Sequence, residues 1–217
     1  MNIRKITTTV IFFSFVIWTI MVYSAENSST MDLIERIDNV FGSYLPSKEL
    51  QASPVKPFME FLSDYGREYF WTFTIAILFL CGKREGKLSA LLIFVSIIII
   101  IPVNTVLKDV IDKDRPVLAV NESSEAYPSG HASIVTAGVL GSALYFNNTW
   151  KKKTVSVLLI IEAFFVCISR IFLGSHYVSD VVGGALLGSF VVLTVSFYTE
   201  SIYAIYCRIY NRFKRLI

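Results

Sequence analysis

Six apolar blocks interrupt this 217-residue chain, at positions 6–24, 69–82, 88–107, 132–150, 154–168 and 181–199. Inside a bilayer no water reaches the backbone, so a segment of this kind must satisfy its own N–H and C=O groups as a helix. About 17–25 apolar helical residues cross the hydrocarbon core. The blocks at 69–82 and 154–168 are short by that measure. They extend through flanking aromatic residues or snorkelling basic ones. Tyr69, Phe70 and Trp71 read as an interfacial belt that begins the second block. A hydrophobic content of 54% and a mean hydropathy of +0.58 exceed what a soluble globule carries. The expected fold class is an all-α membrane protein, a six-transmembrane-helix bundle forming one domain over 1–217. The first block has a rival reading, because Arg4 and Lys5, an apolar run and Tyr23-Ser24-Ala25 also resemble a secretory signal peptide. An uncleaved span is favoured, since five spans would leave the two ends on opposite sides.

Basic residues orient the bundle. The N-terminus, the links at 83–87 and 151–153 and the tail after Tyr206 together hold Arg4, Lys5, Lys83, Arg84, Lys87, Lys151, Lys152, Lys153, Arg208, Arg212, Lys214 and Arg215. The positive-inside rule makes this face cytoplasmic, with both termini, and the expected location is the plasma membrane, multi-pass. On the opposite, external face the segment 25–66 carries two amphipathic patterns. Leu33, Ile37, Val40 and Phe41 follow a Ser29/Thr30 start and stop at Gly42, while Phe58, Phe61, Leu62 and Tyr65 follow Pro57 and stop at Gly66. Such short helices either lie in the headgroup layer or cap the bundle. Pro102 is expected to kink the third span near its outer end. Cys81, Cys167 and Cys207 are odd in number and far apart, which indicates neither a disulfide framework nor a zinc site. They read as small buried apolar residues. A net charge of +3 is too mild for a nucleic-acid partner.

The orientation gathers three polar clusters on the external face. His176 and Asp180, four apart, share a helical face, so the carboxylate can fix the imidazole tautomer and aim the other nitrogen outward as a nucleophile. Arg170 stands at the outer end of the fifth span, Lys108 and Arg115 at that of the third. A transferring phosphoryl group spreads charge over three oxygens, which Arg clamps in pairs and Lys meets as a point charge. Lys113 reads instead as an anchor at the headgroups, and Asp109, Asp112 and Asp114 as salt-bridging or water-facing acids rather than metal ligands. Ser129 occupies an N-cap position at the start of the fourth span, where free backbone N–H groups suit an anion. Gly130 permits close backbone approach, and His131 is placed to protonate a leaving oxygen.

These stretches resemble the K-x6-RP, PSGH and SR-x5-H-x3-D signature of the type 2 phosphatidic acid phosphatase superfamily, membrane lipid phosphatases related to vanadium haloperoxidases. The matching residues are Lys108, Arg115 and Pro116, then Pro128, Ser129, Gly130 and His131, then Ser169, Arg170, His176 and Asp180. They span positions 108–180, about a third of the chain. The resemblance implies that His176 forms a phosphohistidine, Asp180 orients it, and His131 serves as acid and then base. Lys108, Arg115, Ser129, Gly130 and Arg170 cradle the phosphate, with no metal and no cofactor. Sensitivity to vanadate follows from the same chemistry.

The expected activity is removal of phosphate from a membrane lipid phosphate or diphosphate at the outer leaflet, with a polyprenyl diphosphate carrier as the leading substrate. The alternatives are a phosphatidate or phosphatidylglycerol phosphate phosphatase and a lipid phosphotransferase. A transporter or lipid-binding protein is the non-enzymatic alternative, for which Glu162 in the fifth span gives some footing. A buried, protonated or hydrogen-bonded Glu162 serves equally. Oligomeric state is left open, as is whether Gly184-x-x-x-Gly188 packs within or between chains.

Overall fold

Helices that satisfy their own backbone polarity account for most of the described residues. The structure, a computed structural model, describes residues 3–27, 33–44, 48–116, 125–145 and 150–214. No strand occurs among them. In chain order the helices are α1 (Ile3–Glu26), α2 (Leu33–Tyr44), α3 (Lys48–Gln51), α4 (Lys56–Tyr65), α5 (Glu68–Cys81), α6 (Arg84–Ile111), α7 (Gly130–Ala143), α8 (Trp150–Phe172), α9 (Val178–Val195) and α10 (Thr199–Lys214). Four helices are long and apolar enough to cross a membrane: α1, α6, the Lys153–Phe172 portion of α8, and α9. The chain is an integral membrane protein. The fifth block gains its length from flanking residues, as expected, whereas α5 and α7 each have 14 residues. Ser29, Thr30 and Arg215 lie outside the described residues.

The bundle is organised around α7, which packs on α9, α6 and α8, while α1 lies against the other side of α9. Leu92, Ile93, Val135, Val166, Leu187 and Val192 form its core. The closest approach is between α7 and α9, where a Cβ on Gly184 would stand 2.3 Å from the Ser129 carbonyl oxygen and one on Gly188 2.2 Å from that of Ser133. Small residues let helix backbones meet where lipid supplies no hydrophobic drive between helices. The Gly184/Gly188 seam therefore packs within the chain.

Membrane proteins reverse part of the usual inside–outside logic, and several expectations change accordingly. Trp71 is not interfacial: it is 1% exposed and lies over Gly138, while Tyr69 does stand outside. None of the three cysteines is buried, Cys81 being exposed and the others half-buried, because bilayer can surround an apolar side chain as well as protein can. In α2 the residues facing the protein are Ile34 and Asp38, and Leu33, Val40 and Phe41 face outward. In α4, Met59 and Ser63 turn inward and Phe58, Phe61 and Tyr65 outward. Helix α2 also runs past Gly42 to Tyr44, whereas α4 has Pro at its start and ends at Gly66 as read from the pattern. Pro102 lies inside helix α6.

Helix α6 also defines the two ends of the bundle. Near its start Arg84 pairs with Glu200 at 2.6 Å, and at its finish Ile111 packs with Val22, Ala25, Ile34 and Tyr127. At 1.5 Å per residue these ends are about 40 Å apart. The basic 83–87 link lies at the first end and the three polar clusters at the second.

Gly188→Val puts a branched side chain against the α7 backbone at Ser133, which cannot yield without moving α7. Overpacking of this kind costs about 1–3 kcal/mol. Thermal unfolding in detergent should show a lowered Tm; an unchanged Tm would contradict the α7–α9 seam.

Candidate active site

Two helix C-termini and two helix N-termini meet at the far end of α6. Lys108 lies in the last turn of α6, which stops at Asp112 in the left-handed conformation (φ 53°) with its N–H on the Lys108 carbonyl at 2.9 Å. The chain then leaves the helix, and Arg115 donates to the Ser175 carbonyl at 2.6 Å. Arg170 occupies the last turn of α8. Its carbonyl accepts the N–H groups of Ser175 at 3.0 Å and His176 at 3.2 Å, a tight reversal that uses Gly174 at φ 66°. Left-handed backbone of this kind favours glycine.

His176 stands in this turn, two residues before α9 begins, rather than on the helix with Asp180. The spacing still joins them, because Asp180 is in the first turn of α9 and reaches back. Its Oδ2 accepts the Tyr177 N–H at 2.8 Å and lies 3.5 Å from His176 Nδ1. That separation exceeds an ordinary hydrogen bond, and contacts of this type commonly tighten only when a ligand binds. His176 is 3% exposed. Burial is the main influence on its pKa and lowers it; Asp180 pulls it back up, and Arg170 and Arg115 push it down again. The net effect is a pKa below the ordinary 6.5, which leaves the imidazole neutral near pH 7.

At the start of α7, Ser129 is the N-cap residue, yet its side chain makes no capping bond. Its N–H donates to the Asp180 carbonyl at 3.0 Å, and its hydroxyl is buried without a hydrogen-bond partner. His131 Nε2 donates to the Ser63 carbonyl at 3.1 Å. A cavity of about 560 Å³ opens here. Six of the eight residues singled out from the sequence line it: Lys108, Arg115, Gly130, His131, Arg170 and His176. Ser129 and Asp180, both at 0% exposure, lie behind that wall. The structure adds Asn104, Ser63, Asp64, Arg67, Glu68 and Tyr69 to the lining, all but Asn104 from α4, the start of α5 and the turn between them. Ser63 also receives Arg170 Nη1 on its hydroxyl, and Lys108 reaches the Glu125 carbonyl. The helical period of α4 was readable in the sequence, but not which face turned inward.

Lys113 is the clearest correction. It does not anchor the chain at the headgroups; the reversal at Asp112 turns it inward, where it is 3% exposed. Its Nζ stands 2.8 Å from Asp38 Oδ2, 3.0 Å from Asp180 Oδ1 and 2.6 Å from Ser179 Oγ, below the Tyr177 ring. Asp38, which carried no sequence signal beyond a polar position beside Ile34, also accepts the Ser179 N–H at 2.9 Å and its hydroxyl at 2.6 Å. Burial acts to lower the Lys113 pKa, but Asp180 and Asp38 outweigh it and raise the value above 10.5. Helix α2, the 112–116 segment and the start of α9 are thereby fastened together behind His176. Glu162, in contrast, has both oxygens buried without hydrogen-bond partners, beside an apolar groove formed by Phe61, Leu62, Tyr65 and Phe73.

The chain is similar to several known proteins. A family model described as the PAP2 superfamily matches residues 88–202. An undecaprenyl-diphosphatase of Sulfolobus acidocaldarius is 38% identical over 149 residues, covering 65% of this chain and 69% of its own. Phosphatidylglycerophosphatase B of Bacillus subtilis is 39% identical over 107 residues, covering 46% of this chain and 52% of its own. Among solved structures, the transmembrane PAP2-type phosphatidylglycerolphosphate phosphatase from Bacillus subtilis superposes with a TM-score of 0.66 at 25% identity. That superposition covers 90% of this chain and 96% of the other.

Lys113→Ala leaves two buried carboxylates facing each other. Breaking one partner out of a buried pair costs about 3–5 kcal/mol, whereas losing a surface anchor costs about 1 kcal/mol or less. Chemical denaturation in detergent should return the larger loss; a loss at the surface level would contradict the buried role.

Proposed function

The chain belongs to the PAP2 superfamily and is a PAP2-type lipid phosphatase, and from that premise we propose that it removes a phosphate from a lipid diphosphate through a covalent phosphohistidine at the outer face of the membrane. The observation that carries the reading is the convergence of two imidazoles and the cations of Lys108, Arg115 and Arg170 on one cavity. His176 Nδ1 faces Asp180, so a hydrogen there frees Nε2 to attack phosphorus. The N–P bond forms as the bond from phosphorus to the leaving oxygen breaks, and His131 gives that oxygen its proton. The lipid product departs. Water then attacks the phosphohistidine, His131 takes up its proton, and the N–P bond breaks to release inorganic phosphate.

Lys108, Arg115 and Arg170 offset the charge on the equatorial oxygens, work that needs positive groups held in place rather than a metal. Gly130 admits the phosphate close to the start of α7, where the unpartnered Ser129 hydroxyl is within the same turn. Asp180 orients His176 from behind the wall.

In this reading α5 and α7 complete six spans, both termini are cytoplasmic, and α2 and α4 rest in the external headgroup layer. The outward-facing Leu33, Val40, Phe41, Phe58 and Phe61 support that placement. The separation of the basic 83–87 link from the cavity by the length of α6 supports an external site. A polyprenyl diphosphate is the leading substrate because, of the two sequence relatives, the undecaprenyl-diphosphatase is matched over the larger share of its length, 69% against 52%. Phosphatidylglycerol phosphate or phosphatidate is the second reading, supported by the Bacillus subtilis relatives.

The test is phosphate release by the purified protein from a polyprenyl diphosphate, a polyprenyl monophosphate and phosphatidate across pH. The nucleophile is the neutral imidazole, and a depressed pKa keeps it neutral until the pH falls through that lowered value. The acid limb of kcat/KM, which reports the free enzyme, should therefore lie below pH 6.5. An acid limb above 6.5, or no release from any of the three lipids, would contradict the proposal.

A further inference from the structure

Outside the three motifs, one cation faces the leaving-group side of the cavity. The Ser63 carbonyl that meets His131 Nε2 can only accept, so Nε2 carries a hydrogen and Nδ1 is the nitrogen available for proton exchange. Arg67 Nη1 stands 3.5 Å from that Nδ1. Arg67 belongs to the turn between α4 and α5, its side chain is 29% exposed, and its Nη2 is held by Glu68. Its Nε is buried without a hydrogen-bond partner. A guanidinium held by Glu68, lining the cavity with Nη1 beside the proton-exchanging nitrogen, is placed to meet an anionic ligand.

The chemistry of the leaving group identifies that ligand. When a phosphate monoester is cleaved, the departing oxygen is bonded to carbon, and the proton from His131 leaves a neutral alcohol. When a diphosphate is cleaved, the departing oxygen belongs to a second phosphoryl group. That group keeps negative charge on its non-bridging oxygens after the proton arrives. Those oxygens lie two P–O bonds beyond the bridging oxygen, so with that oxygen at Nδ1 they come within reach of Arg67. Lys108, Arg115, Arg170 and Arg67 line the cavity with Asp64 and Glu68, and Glu68 is engaged by Arg67 Nη2.

We propose that Arg67 binds the non-transferred phosphate of a diphosphate and so selects lipid diphosphates over lipid monophosphates. The inference rests on the phosphatase reading above and gives its leading substrate a residue. In the first step the His176 N–P bond forms and the bridging P–O bond breaks, while His131, acting as the imidazolium with its Nε2–H kept on the Ser63 carbonyl, passes the Nδ1 proton to the bridging oxygen and is left neutral. The lipid monophosphate departs from Arg67.

The experiment compares full-length wild-type, Arg67→Gln and Arg67→Lys proteins on a polyprenyl diphosphate and on phosphatidate. Arg67→Gln should reduce kcat/KM for the diphosphate at least tenfold more than for phosphatidate, with Arg67→Lys recovering part of the difference. An equal loss on both substrates would mean that Arg67 acts through His131, and no loss on either that it does not touch substrate; both overturn the proposal. Binding separates this failure from that of the phosphatase reading. In a His176→Ala background, which forms no covalent intermediate, Arg67→Gln should weaken the diphosphate at least tenfold more than phosphatidate. Equal affinities with and without Arg67 would overturn the inference even if neither lipid were turned over.

Discussion

The architecture of the site depends on one buried ionic knot. Lys113 holds two carboxylates, Asp38 and Asp180, in a place almost closed to solvent. Removing charges from water is costly, and one ammonium cannot satisfy two carboxylates by itself. Backbone and hydroxyl donors complete the set: the Ser179 N–H and hydroxyl serve Asp38, and the Tyr177 N–H serves Asp180. All three come from the start of α9, where free N–H groups and the helix dipole favour negative charge. The knot therefore ties α2, the segment after α6 and α9 into one unit, and its Asp180 arm ends at His176.

That arrangement explains how a membrane protein presents a histidine of depressed pKa without leaving it free to move. The helix bundle contributes rigid ends rather than rigid loops. Helix α8 ends at Phe172, and the carbonyl of Arg170 in its last turn accepts the N–H groups of Ser175 and His176. Helix α7 starts at Gly130 and is pressed against α9 by glycines that leave no room for side chains. Helix α4, outside the bundle core, closes the cavity with Ser63, which touches both His131 and Arg170. Each functional group is thus positioned by backbone contacts at a helix terminus, where few degrees of freedom remain.

Much of this was legible in the sequence because the relevant signals are local. Hydropathy gave the apolar segments, and spacing within each polar cluster singled out Lys108, Arg115, His131, Arg170 and His176, all of which line the cavity. The residues that were missed act over long separations. Asp38 and Lys113 are 75 positions apart, and Arg67 and His131 are 64 apart. No periodicity links such pairs. The second source of error was the solvent. An apolar stripe ordinarily marks the inward face of a helix, but beside a bilayer it can mark the outward one. Leu33, Val40 and Phe41 therefore predicted that α2 is a helix while pointing away from its buried face, where Asp38 waits. Trp71 was misread for the same reason, as an interfacial aromatic when it fills the space above Gly138.

The central claim is that His176 accepts the phosphoryl group. The most direct measurement is rapid acid-free quenching of the protein during turnover of a lipid diphosphate labelled at its terminal phosphorus, followed by peptide mapping. The account predicts a base-stable, acid-labile phosphate on the peptide containing His176, formed and lost at rates compatible with turnover. Active protein that never carries label there, or that carries it on another residue, would contradict it.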